Sequence, residues 1–193
     1  SKWDEVCHRY EPISYYYENN ILYLPRGTDI NKLASLLHTR NVIYGKREDK
    51  PLRIPKYEFR GTPKSSIQAD ATKFLLSVER FAGSDKYSQK GLNLDTGEGK
   101  TFATICNVIN RQLRTMIIVD AIKLKKQWMN EFMKFSSITK DRLFDIDSSD
   151  VMIKLMDEPK LDYDVFFVNH QTLSSYAKQY GWLAIRKFMT KLG

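Results

Sequence analysis

The chain has 193 residues, 42% of them hydrophobic and 28% charged, with a formal net charge of +8. That is the composition of a globular protein with chain enough for one good core plus a small accessory unit. Aliphatic runs such as 116–119 are far too short to cross a bilayer, which argues against a membrane span, and the positive excess points to an anionic partner.

Cys7 and Cys106 lie far apart, so free thiols in a reducing compartment are expected. With His8, His38 and His170 they make no metal-ligand spacing. The opening residues, Ser1-Lys2-Trp3-Asp4-Glu5, hold no apolar run of the secretory kind, and a cytoplasmic location is expected.

Residues 1–60 read as a small α+β accessory domain with possible DNA binding. Residues 13–17 and 21–24 are β-prone and flank Glu18-Asn19-Asn20, which predicts a hairpin. Thr28 or Asp29 can cap a helix with Ile30, Leu33, Leu36 and Leu37 on one face. Another extended piece is expected at 41–44. Between Arg40 and Lys64 stand eight basic residues against Glu48, Asp49 and Glu58, the pattern of a polar, basic linker.

From about residue 61 onward the pattern changes to repeated β–α units. Ser65 or Ser66 opens a helix to about residue 81, with Ile67, Ala71, Phe74, Leu75 and Val78 at helical spacing. A strand is predicted at 91–94, leading through Thr96-Gly97-Glu98-Gly99-Lys100-Thr101 into a helix at 102–113. Glycines let the backbone N–H groups of such a turn curl round a triphosphate. Lys100 then reaches the β- and γ-phosphates, and the Thr101 hydroxyl takes a place on Mg²⁺. Further strands are predicted at 115–119, 143–146 and 165–168. Each leads into a helix, at about 122–135, 149–156 and, broken near Gly181, the tail. Apolar strands alternating with helices predict a parallel sheet covered on both faces.

Four landmarks in this order resemble the first RecA-like domain of superfamily 2 helicases and translocases. Gln68 resembles the glutamine that reads the adenine edge, and Thr96 to Thr101 resembles motif I. Residues 116–128 resemble motif Ia, with Asp120-Ala121 where the family has Pro-Thr. Asn169-His170-Gln171-Thr172-Leu173 resembles motif Ic. The resemblance implies a partial RecA-like ATPase domain over residues 61–193. It implies ATP held by Gln68, Thr96, Gly97, Glu98, Gly99, Lys100 and Thr101, with Lys100 and Thr101 serving catalysis and Thr101 also on Mg²⁺. It further implies single-stranded or branched DNA held by Lys123, Lys125, Asn169, Gln171 and Thr172. A helix N-cap by Thr172 is the competing account of that position. Tyr23 to Gly27 resembles helicases that remodel branched DNA, including phage UvsW-like recombination helicases. For a phage protein the host cytoplasm is the expected location.

The family's motif II, an Asp-Glu pair after motif Ic, does not occur in the sequence. Leu155-Met156-Asp157-Glu158 precedes motif Ic and is followed by Pro159, so it reads as a helix end. An N-terminal fragment is therefore expected, whose parent chain supplies motif II and a second RecA-like domain. The expected activity is ATP-driven movement on DNA or its remodelling, in recombination or repair. The alternatives are a P-loop enzyme acting on a small molecule, or a DNA-binding module beside a non-catalytic ATPase domain.

Overall fold

Residue 165 begins a run of apolar side chains with no polar alternation, and such a run is stable only where both of its faces are covered. In the computed structural model it is the central strand of a parallel sheet. The structure describes residues 2–4, 9–11, 16–18, 21–23, 52–77 and 90–193. The chain forms two units.

The first unit contains two antiparallel pairs. β1 (Lys2–Asp4) pairs with β2 (Arg9–Glu11), and β3 (Tyr16–Glu18) pairs with β4 (Ile21–Tyr23). The second pair is the hairpin predicted around Asn19-Asn20. The helix expected after Thr28 and the extended piece at 41–44 lie outside the described residues.

The second unit is α/β. Its sheet has the order β5 (Thr115–Val119), β7 (Val165–Asn169), β6 (Leu143–Ile146), all parallel. Successive side chains of β7 point to opposite faces. Val165 and Phe167 join one cluster with Ile105, Ile109 and Phe132, which lie on α2 (Lys100–Arg111) and α3 (Ile122–Phe135). Phe166 and Val168 join a second cluster on the other face. It takes Met152 and Leu155 from α4 (Ser149–Asp157), Tyr176 from α5 (His170–Tyr180), and Phe188 and Leu192 from α6 (Trp182–Leu192). Both clusters exclude water from large side chains, each contributing about 1.5–3 kcal/mol. The outcome is the incomplete RecA-like sheet with flanking helices that the landmarks implied. Asp157-Glu158 is a helix end, as expected, with Glu158 capping α4.

Two expectations are corrected. Residues 91–94 form no strand. A strand needs a hydrogen-bonded neighbour, and the sheet described here stops at β5, whose only described partner is β7. Residues 52–60, expected as linker, are tied into the α/β unit. Ile54 N–H donates to Gln112 O (3.1 Å), Arg60 N–H to Phe135 O (2.7 Å), and Ser137 N–H to Glu58 O (2.9 Å).

Candidate functional site

The turn between residues 95 and 99 is shaped by its glycines. Gly97 has φ +92° and Gly99 φ +90°, values that a side-chain-bearing residue reaches only with strain. Gly99 is the N-cap of α2, and, having no side chain, makes no cap bond to the first turn of that helix. Among the described residues no side chain takes its first N–H groups, so these and the positive dipole end suit an anion. No acidic residue lies in the first turn to neutralise them.

Lys100 is exposed, and its ammonium folds back to donate to Leu94 O and to Asp95 O, the latter at 3.1 Å. Glu98 closes the turn from the other side. Its carboxylate accepts from Asp95 N–H at 2.7 Å, while its own N–H donates to Asp95 O at 3.3 Å. Thr96 is exposed and Thr101 half-buried.

Gln68 reaches this turn from α1 (Ser66–Leu76). Ser65 caps that helix by accepting from Gln68 N–H at 3.2 Å. The Gln68 side chain is buried, at 8% exposure, and its Oε1 accepts from Lys64 N–H at 2.7 Å. Its Nε2 lies against Gly99: a methyl built on that glycine collides with Nε2 and falls 2.8 Å from Cδ. The fold thus brings together the glutamine and the turn, 31 positions apart in sequence. Farther along α2, Cys106 is buried, and burial raises its thiol pKa, which suits core packing rather than nucleophilic chemistry.

The residues assigned to DNA divide. Lys123 and Gln171 are exposed near the C-terminal ends of β5 and β7, as is His170. Asn169 is the N-cap of α5, accepting from Thr172 N–H at 2.6 Å. The cap is therefore Asn169 and not Thr172, whose hydroxyl donates to Asp147 O at 3.4 Å. Lys125 corrects its expectation. Its side chain is 1% exposed, paired with the Asp145 carboxylate of β6 and donating to Ile146 O at 3.0 Å. An ammonium held inside the fold cannot meet a phosphate backbone. The signal was present: Lys125, Trp128, Met129 and Phe132 share one face of α3 at core spacing.

A second polar cluster went unread in the sequence. At the N-terminal ends of the strands, Asp164, 2% exposed, accepts from Arg142 Nε and Nη2 at 2.9 Å each and from the Tyr57 hydroxyl. Arg142 is held more firmly protonated by that carboxylate, and burial together with Asp164 pushes Tyr57 up to about 12. The cluster fastens residues 52–60 to the sheet.

Among the described residues no helix is long and apolar enough to cross a membrane, and no group of His, Cys, Asp or Glu forms a metal site. In comparisons with known proteins, the family model of the type III restriction enzyme res subunit (ResIII) matches residues 64–188. No curated protein and no solved structure matches.

Proposed function

Since the chain belongs to the type III restriction enzyme res-subunit family, and so carries a helicase-like ATPase domain of superfamily 2, we propose that it serves an ATP-driven motor on DNA. The observation that carries this reading is the uncapped N-terminus of α2 behind a glycine turn, with Lys100 at its mouth and Gln68 packed on Gly99. Helix-terminal amides and an exposed ammonium are the donor set a polyphosphate needs. Lys100 exchanges its carbonyl partners for phosphate oxygens. The N–H groups from Gly97 to Thr101 would cradle them, and the Thr101 hydroxyl would hold the metal. Bound Mg²⁺ would supply neutralisation of phosphate charge. Gln68 fixes the turn from behind, and its amide nitrogen is the group left to read the base, Oε1 being held by Lys64 N–H. Lys123 and Gln171 meet the DNA backbone, and Asn169 and Thr172 shape the turn that presents them. Preference for branched DNA, and a role in recombination or repair, extend this reading through the likeness of residues 23–27 to UvsW-like helicases.

The test is binding of a fluorescent ATP analogue with Mg²⁺ to the protein and to Lys100→Ala. A loss of tenfold or more is expected in the variant. Since no motif II carboxylate pair occurs in the sequence, the 193 residues are expected to hold nucleotide without turning it over. Equal affinity in Lys100→Ala overturns the reading. So does nucleotide hydrolysis by the intact protein that DNA leaves unchanged, which favours a small-molecule P-loop enzyme.

A further inference from the structure

The stretch 165–193 contains no Asp or Glu and carries Lys178, Arg186, Lys187 and Lys191, half of the chain's net charge of +8. Within it, α5 ends at Gly181, whose φ of +82° turns the backbone straight into α6. The bend leaves two aromatic side chains outside. Trp182 is 64% exposed, more than any other large hydrophobic residue among those described, and Tyr180 is exposed beside it in sequence. Arg186 and Met189, also exposed, follow Trp182 by one and two turns on the same helix face. The opposite face is anchored, with Phe188 and Leu192 in the core.

Lys191 is committed to the fold, its ammonium donating to Glu158 O at the end of α4. Lys178 and Lys187 are exposed, and among the described residues no carboxylate pairs with either. An exposed indole in a stretch of sequence that carries cations and no acids suits a ligand that is planar and anionic together. A protein surface that covered Trp182 and Met189 would have to answer this charge with carboxylates of its own. A single-stranded nucleic acid offers both features, bases that stack and phosphates that pair. A duplex keeps its base faces hidden.

We propose that the α5–α6 corner is a contact for single-stranded nucleic acid, with a base stacked on Trp182 and neighbouring phosphates on Lys178 and Lys187. It rests on the reading that nucleic acid is this protein's track. It lies outside the rim of Lys123 and Gln171, at the far end of α5, about 16 Å along an 11-residue helix.

The test is anisotropy titration of a labelled 15-nucleotide oligothymidylate and of a 15-bp duplex. The proteins are the unaltered chain, Trp182→Ala, Trp182→Phe and the double variant Lys178→Gln/Lys187→Gln, with circular dichroism to confirm folding. Trp182→Ala is expected to bind the single strand about tenfold more weakly. Trp182→Phe is expected to recover most of the affinity, and the duplex to bind all three alike. The double variant is expected to show a shallower dependence of affinity on salt. Unchanged oligothymidylate affinity in Trp182→Ala, or an equal loss on the duplex, overturns the corner while leaving the motor reading standing. Failure of the unaltered protein to bind either nucleic acid overturns both.

Discussion

A side chain at position 99 has nowhere to go. Alanine there meets the amide of Gln68 and takes an unfavourable φ. Gly99→Ala is expected to destabilise the turn by about 2–4 kcal/mol and to abolish measurable nucleotide binding. Adding Gln68→Ala relieves the collision but not the backbone strain, so titration of the double variant should recover stability in part. Lys125 offers a contrary case, a cation whose role is structural. Lys125→Ala leaves the partly buried Asp145 carboxylate without its partner, a loss of about 3 kcal/mol, while Lys125→Met, which fills the same space, costs less. Urea unfolding checks the order, and DNA affinity of the folded variants should not change. Tyr57 sets an alkaline limit. Its hydroxyl titrates near 12 when folded, against 10 in an open chain. The stabilisation is therefore whole below pH 10 and is lost as pH rises from 10 to 12. Tyr57→Phe should be less stable at neutral pH and show a flatter decline through that window in unfolding midpoints.

Elements were legible where their information is local. The apolar run of β7 and the turn residues Asn19-Asn20 carry their own instructions, as does the spacing along α3. Boundaries of β5 and β6 coincide with the predicted ones, since Arg114 and Lys140-Asp141-Arg142 interrupt the apolar pattern. The failures were non-local. Residues 91–94 are apolar enough for a strand, but whether a strand forms depends on a neighbour elsewhere. The pairing of Lys125 with Asp145, 20 positions away, is invisible in a helix read by itself, although the spacing of Lys125 with Phe132 marked the inward face. At the site, the turn and its lysine were readable as a motif. That Gln68 would rest on Gly99, that Asn169 would cap α5, and that Glu98 would turn back on Asp95 N–H needed the fold.

On the scale of the whole molecule, charge and apolar surface are distributed unevenly. Basic residues gather between Arg40 and Lys64 and again after residue 165, and both stretches suit a polyanionic track. One surface has a different consequence. Along β5, the side opposite β7 has no described partner, and Ile118 on that strand is 50% exposed. Among the described residues the amides on that side of β5 have no strand partner, and such a row beside a greasy side chain is a template for another chain's backbone. Concentrated solutions of these 193 residues should therefore self-associate by sheet extension, growing in light scattering with concentration. Ile118→Lys, a gatekeeper at that seam, should keep them monodisperse.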